Sequence, residues 1–149
     1  MYKTFFGVAV LFLCFQLACN DSDLQKVSKS MLVLGTAVSE LQTDVIAANT
    51  QGLMSDQDTK AVLVVCTKIS ATGKQIDAVL RSITQLDPVS RGNVIALLTT
   101  VSQTIDPTQL EFIAGIKDPA TKQTVEGAFI VARTTISGLQ IVLASSGGK

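Results

Sequence analysis

The sequence predicts an all-α fold, an antiparallel up-down four-helix bundle with a short extra helix between helices three and four. Two observations lead to this prediction. Apolar residues recur at alternating intervals of three and four positions after residue 23, the period of a helix that packs along one face. Each of the three prolines follows an aspartate, a pairing typical of helix starts, and the long segments between them are joined by short loops.

The first predicted helix shows this spacing without interruption. We expect it to end at Gln51-Gly52, because glycine suits the left-handed turn that follows a helix. Its apolar stripe comprises Leu24, Val27, Met31, Leu34, Val38, Leu41, Val45 and Ala48.

The second helix is expected to begin at Ser55, whose hydroxyl can cap the helix. Asp58, three residues later, would complete an arrangement related to the capping box. Gly73 falls within the apolar stripe of this helix and costs about 1 kcal/mol of helix propensity relative to alanine. We interpret Gly73 as a point where a neighbouring helix approaches closely, or where a ring such as that of Phe129 finds space, in preference to a hinge.

Three aspartate–proline pairs mark the remaining helix starts, since a capping carboxylate precedes a proline already set for the first helical position. They are Asp87-Pro88, Asp106-Pro107 and Asp118-Pro119. Helix three is expected to run from Pro88 to about Gln103 and the last helix from Pro119 to about Ser145. Between them, a short helix from Pro107 to about Ile116 should face inward through Leu110, Ile113 and Ile116.

Two runs, 61–66 and 128–132, are apolar on every side of their helices, whereas a surface helix keeps a polar face. In an up-down bundle helices two and four run parallel, so both runs should lie at the same height. One interpretation is an exposed apolar interaction band for a protein, a second copy or a lipid. The other is that these helices are central or are covered by the short segment. The candidate band comprises Val62, Val65, Cys66, Phe129, Ile130 and Val131.

The composition argues against nucleic-acid binding and against catalysis. Twelve basic and twelve acidic residues give no net charge, so the chain lacks the excess of positive charge that nucleic-acid binding requires. There is no histidine, the usual general base and zinc ligand. Glu40 and Asp44 lie four residues apart but lack the histidine partners of a di-iron bundle. We expect no catalytic residue, no cofactor and no metal, and we interpret Cys66 as a buried free thiol.

Residues 1–18 are typical of an export signal. Lys3 precedes an apolar run, and Asn20 and Asp21 stop that run short of the length of a membrane-spanning helix. Gln16-Leu17-Ala18-Cys19 resembles the lipobox of bacterial lipoproteins, although Gln16 stands where the family usually has an aliphatic residue. The resemblance implies a lipid on Cys19; the alternative is conventional cleavage. The predicted organisation is a signal (1–18), a tether (19–23), the bundle (24–145) and a flexible tail (146–149).

These observations favour an exported lipoprotein of the cell envelope that is anchored to a membrane by its lipid. Its role would be structural or in protein interaction, with an unknown envelope protein or a second copy as partner. One alternative is a module that binds an apolar ligand or lipid between helices two and four, where Gly73 and Ala132 would make room. A further alternative is a secreted, unlipidated helical protein that adsorbs to interfaces.

Overall fold

The structure is a computed structural model that describes residues 22–145, apart from the side chain of Gln109. Within this range there are four α-helices and no strand, which confirms the predicted all-α fold. The helices are α1 (Asp23–Thr50), α2 (Asp56–Arg81), α3 (Pro88–Thr104) and α4 (Pro119–Ser145).

The helices pack as an antiparallel ring in which α1 contacts α2 and α4, and α3 contacts the same two helices. α2 and α4 therefore lie across a diagonal of the bundle. We call the end where α1 and α3 begin and α2 and α4 finish the proximal end, because it lies next to the start of the described chain. The opposite end, which holds the α1–α2 turn and the segment between α3 and α4, is the distal end.

The core is formed by the apolar stripes that the spacing predicts. In α1, Leu24 and Met31 are half-buried and the other six members of the stripe are buried. Burying a side chain of this size stabilises the fold by roughly 1.5–3 kcal/mol, so the bundle rests on aliphatic packing. The largest fully buried side chains are Ile76, Leu98, Ile105, Ile136, Leu139 and Leu143.

The turn after α1 is a Schellman motif built on Gly52. Its φ of 71° lies in the left-handed region, which glycine adopts without strain because it has no β-carbon. The amide of Leu53 donates to the carbonyl of Ala48 (2.9 Å), and the amide of Gly52 donates to that of Asn49 (2.9 Å). The predicted helix end at Gln51-Gly52 is therefore confirmed.

The segment between α3 and α4 differs from the single short helix that was predicted. It consists of two 3₁₀ helices, η1 (Pro107–Gln109) and η2 (Glu111–Gly115). Leu110, Ile113 and Ile116 are buried, as expected, and their spacing of three matches the three residues per turn of a 3₁₀ helix. Bonds from the amide of each to the carbonyl three residues earlier, 3.0–3.2 Å long, hold this tighter winding.

Candidate functional site

The predicted apolar band lies mostly inside the core. Val62, Val65, Cys66 and Phe129 are buried, Val131 is half-buried, and only Ile130 is exposed, at 61%. The prediction of an exposed band is wrong because α2 and α4 are diagonal and turn these faces toward the bundle axis, while η2 packs on both helices. The alternative interpretation, in which the runs are central and covered, describes what the structure shows.

The four predicted capping residues all cap helices. The hydroxyl of Ser55 accepts a hydrogen bond from the amide of Asp58, 3.1 Å away. One carboxylate oxygen of Asp87 accepts from the amides of Val89 (2.9 Å) and Ser90 (3.0 Å). The other two aspartates act in the same way on the segments that follow them: Asp106 on the amide of Thr108 (3.0 Å) and Asp118 on that of Thr121 (2.7 Å).

These hydrogen bonds favour the ionised form of each capping carboxylate. Those from Ser90 lower the pKa of Asp87, those from Thr108 lower that of Asp106, and those from Thr121 lower that of Asp118. A carboxylate that is held ionised and bonded to helix amides has a structural role. None of the three has the raised pKa that an acid catalyst at neutral pH would need.

Gly73 lines a groove between α1 and α2. A β-carbon at Gly73 would lie 3.6 Å from Cε of Met31, so the close neighbour is α1. The groove has a volume of about 610 Å³ and lies in the proximal half of the bundle. Its apolar lining includes Met31, Leu34, Val38, Ile69 and Leu80, and its polar lining includes Glu40, Lys74, Asp77 and Arg81. Of the two residues expected to make room for a ligand between α2 and α4, Ala132 is buried in the core and Gly73 lies against Met31 of α1.

Cys66 is a free, fully buried thiol, as the sequence predicts. Burial raises its pKa from 9.0 to about 11, because the thiolate loses hydration inside the core. A thiol in this state is a small apolar side chain and not a nucleophile. Among the described residues, no group of three or more potential acidic or thiol ligands could hold a metal ion.

Sequence reasoning missed an uncharged face formed by α3 and α4. Residues 92–105 and 134–145 contain no aspartate, glutamate, lysine or arginine. The two stretches are adjacent, because the side-chain amide of Gln140 donates a hydrogen bond to the hydroxyl of Thr99, 3.1 Å away. Ala96 and Ala144 lie one turn from this pair and are exposed. The signal was present as two gaps in the charge pattern, after Arg91 and after Arg133.

The predicted export signal and Cys19 lie outside the described residues. The structure does define where the bundle begins. Ser22 and Gln25 form a capping box, in which the hydroxyl of Ser22 accepts from the amide of Gln25 (3.3 Å) and Oε1 of Gln25 accepts from the amide of Ser22 (3.2 Å). Only two residues, Asn20 and Asp21, therefore separate Cys19 from the cap of α1.

Two of the described helices, α1 and α4, are long and apolar enough to cross a membrane, with mean hydropathies of 1.3 and 1.5 over their most apolar 18-residue stretches. Length and composition alone do not distinguish such helices from the core helices of soluble bundles. In this bundle, 28% of the residues in each stretch are buried. Thr, Ser, Ala and Gly occupy much of the remainder, for example Thr36, Ala47, Thr134 and Gly138.

Comparison of the chain with protein-family models, with curated proteins and with solved structures gave no match.

Proposed function

We propose that this protein is an exported lipoprotein, tethered to a membrane of the cell envelope through Cys19, which acts by binding another protein or a second copy of itself and not by catalysis. The uncharged face of α3 and α4 is the observation that carries the interaction role. Charged residues are depleted at the centres of protein interfaces, because burying an unpaired charge is costly.

The exposed side chains of the uncharged face suit reversible association. Alanine, serine and threonine offer small apolar contacts and hydroxyl groups that lose little conformational entropy when they are buried. The face also carries Ile141, which is 69% exposed and can serve as an apolar contact. The remaining surface of the bundle, on α1 and α2, is interspersed with charges such as Lys29, Glu40, Lys60 and Lys74.

A non-catalytic role is supported by the structural roles of the ionisable groups. Asp87, Asp106 and Asp118 cap helices, and Cys66 is inert in the core. The groove beside Gly73 has an ion pair at its edge, with Nε of Arg81 2.7 Å from a carboxylate oxygen of Asp77. A partner-binding role requires none of these groups to react.

The tether is tested by producing the full chain in a host that processes lipoproteins and comparing it with Cys19→Ser. Mass spectrometry of the wild-type protein should show an N-terminus at Cys19 that carries acyl chains, and the protein should fractionate with membranes. Cys19→Ser should lose both properties. If the variant is processed and fractionates as the wild type does, the proposed anchor is wrong.

The interaction face is tested by placing a photo-crosslinking amino acid at single exposed alanines in the full chain. Ala96 and Ala144 lie on the uncharged face, and Ala47 and Ala71 are matched positions on the outer surfaces of α1 and α2. Irradiation in cells should give a discrete adduct from Ala96 and Ala144 but not from the controls. An adduct of twice the chain mass identifies self-association, and another discrete mass identifies a different partner. Equal adducts at all four positions, or none, contradict the proposal.

The groove between α1 and α2 supports a second candidate function, binding of an apolar ligand with a polar head. Its volume suits a small ligand, and its lining combines aliphatic side chains with Lys74 and Arg81. Gly73→Leu fills this space, whereas Gly92→Leu places the same side chain at an exposed position in α3 with no neighbour within 4 Å. Saturable binding of a fluorescent fatty acid that Gly73→Leu abolishes and Gly92→Leu retains would support this function. Equal binding by both variants would exclude the groove.

A further inference from the structure

Helix α4 carries two stripes of residues at helical spacing, on different sides. The inward stripe belongs to the core and comprises Val125, Phe129, Ala132, Ile136, Leu139 and Leu143. A second stripe, which we call the outer seam, has the same alternation of three and four and comprises Gly127, Ile130, Thr134, Ser137, Ile141 and Ala144. At 3.6 residues per turn, the mean directions of the two stripes differ by roughly 150°. The outer seam therefore faces away from the core.

The outer seam presents two large apolar side chains to solvent. Ile130 is 61% exposed and Ile141 is 69% exposed, and they lie three turns apart with Thr134 and Ser137 exposed between them. The hydroxyl of Thr134 donates to the carbonyl of Ile130, 2.9 Å away. Covering Thr134 would therefore leave no unpaired donor, and its methyl group would add apolar contact.

The spacing of the outer seam is that of a coiled-coil interface, in which apolar residues recur at alternating intervals of three and four. If two copies of α4 lay side by side and parallel, each seam residue would lie opposite its own counterpart. Ile130 would then contact Ile130 of the second copy, and Ile141 would contact Ile141 of the second copy. Thr134 and Ser137 between them are small enough for the two helices to lie close together.

The charges beside the outer seam are compatible with this pairing. In a parallel coiled coil, a residue that flanks the seam lies near the residue about five positions further along the other helix. Glu126 would therefore lie near Val131 of the second copy, and Arg133 near Gly138 of the second copy. No charge on this part of α4 would face a like charge across the seam.

The neighbouring helices extend the contact. Because α1 and α3 flank α4, a two-fold axis parallel to α4 places α1 of one copy against α3 of the other. The charged outer surface of α1 would then meet residues 92–105, which contain no charged side chain. This arrangement also avoids like charges.

The size of the contact suits a reversible dimer. The outer seam spans 127–144, about 26 Å at a rise of about 1.5 Å per residue. With neighbouring helices about 8–10 Å away, the contact would be about 20 Å wide. Each copy would cover roughly 500 Å², and the total of roughly 1,000 Å² is the lower limit for a specific interface. Confinement of both copies to one membrane would raise their effective concentration.

We infer that the outer seam of α4 is the interface of a parallel homodimer. The inference rests on the proposed function, since it names a second copy of the chain as the partner. The seam is continuous with the uncharged face of α3 and α4, because Ile141 and Ala144 belong to both. The parallel direction agrees with the proposed anchor, since both copies would then have Cys19 at the same end of the dimer.

Disulfide crosslinking between introduced cysteines tests the seam and its direction. Ser137→Cys and Ala144→Cys are the reporters, and Ala71→Cys and Ala78→Cys, exposed on the diagonal helix α2, are the matched controls. Membranes that contain each full-length protein are treated with copper phenanthroline and analysed by non-reducing electrophoresis. Both reporters should give a dimer of twice the chain mass, and the controls should not.

Ala144→Cys decides the direction of the two helices. In a parallel pair the two introduced cysteines lie opposite each other. In an antiparallel pair centred between Thr134 and Ser137 they would be about 26 Å apart, too far for a disulfide. A dimer from Ser137→Cys without one from Ala144→Cys therefore overturns the parallel arrangement. Crosslinking of the α2 controls as strongly as the reporters overturns the seam.

Charge substitutions at Ile130 provide a test that misfolding cannot imitate. Ile130→Lys and Ile130→Glu each place like charges face to face across the two-fold axis, so each should lose the dimer formed through Ala144→Cys. Co-expression of the two variants should restore that dimer, because the opposite charges then meet. Val64→Lys, at a side chain on α2 that is 46% exposed, should leave crosslinking unchanged. If both variants keep their helical circular dichroism and co-expression restores no dimer, the inference is wrong.

The outcomes separate this inference from the proposed anchor. The protein without an added cysteine should form no dimer, because Cys66 is buried and the proposed lipid occupies Cys19. A reducible dimer that Cys19→Ser removes would show a free thiol at Cys19 and contradict the anchor. The seam is then decided by Ala144→Cys combined with Cys19→Ser, by the same criterion. If mass spectrometry shows lipid on Cys19 while no reporter crosslinks above the controls, the anchor stands and the homodimer is wrong.

Discussion

Cε of Met31 lies 3.6 Å from the position that a β-carbon on Gly73 would occupy, so α1 and α2 approach closely without excluding a methyl group. A distance of 3.6 Å is an ordinary van der Waals contact. The glycine is therefore not required by the space available, and it leaves α2 with a residue of low helix propensity near its middle.

We predict that Gly73→Ala stabilises the protein by about 1 kcal/mol, because alanine has the higher helix propensity and its methyl group contacts Met31. The midpoint of thermal unfolding should rise by roughly 3–5 °C, as followed by circular dichroism. Gly92→Ala, at an exposed helical position with no neighbour within 4 Å, is the control for propensity alone. If Gly92→Ala stabilises and Gly73→Ala destabilises, the two helices are closer than this geometry allows.

Gly52 should respond in the opposite way to the same substitution. Its φ of 71° places it in the left-handed region, where a β-carbon costs roughly 1–2 kcal/mol. Gly52→Ala should therefore lower the free energy of unfolding by about 1 kcal/mol, measured by urea denaturation. Gly52→Asn should cost less, because asparagine tolerates this conformation better than alanine does. Equal losses for both variants would mean that the strain does not come from φ.

The local features of this fold were predictable from short stretches of sequence. Ser55 and the three aspartate–proline pairs act on amides two or three residues away, so their geometry depends on nothing outside the first turn. The stripe in α1 was predictable for a similar reason, since one buried face follows from the helical period whatever lies opposite it.

Features that depend on which helices are neighbours were not predictable in this way. Whether the candidate band from Val62 to Val131 is exposed or central was left open, because the diagonal arrangement of α2 and α4 cannot be read from either helix alone. Gly73 was interpreted as a point of close helix approach or as space for the ring of Phe129, but its nearest neighbour is Cε of Met31, at a distance that would accept a methyl group. The uncharged face required the pairing of Thr99 with Gln140, which are 41 positions apart.

The capping aspartates predict a stability that falls in acid. Hydrogen bonds lower the pKa values of Asp87, Asp106 and Asp118 in the folded state below the ordinary value of 3.8. Their contribution is therefore fully present above about pH 4 and is lost as the pH falls through the lower folded values. The variant with Asp87→Asn, Asp106→Asn and Asp118→Asn keeps good capping side chains at neutral pH but cannot titrate.

This triple variant should unfold near the wild-type temperature at neutral pH and lose less stability than the wild type between about pH 4 and pH 2. Thermal unfolding over a series of pH values measures both quantities. Asp44→Asn, an exposed aspartate in α1 that caps no helix, controls for the removal of an acidic side chain. An acid profile that the triple variant leaves unchanged would show that other groups control acid unfolding.

Cys66 should be protected from thiol reagents for as long as the bundle is folded. Raising its pKa from 9.0 to about 11 lowers the thiolate fraction near neutral pH by about 100-fold, and burial also blocks access. Ala71→Cys places a thiol at an exposed position on the same helix and should react with iodoacetamide at least 100-fold faster, as resolved by peptide mass spectrometry. Urea should bring the two rates together, since unfolding removes both the burial and the pKa shift. Comparable rates in the native protein would mean that α2 opens locally around Cys66, and the core described by Val62, Cys66 and Ile69 would then not be closed in solution.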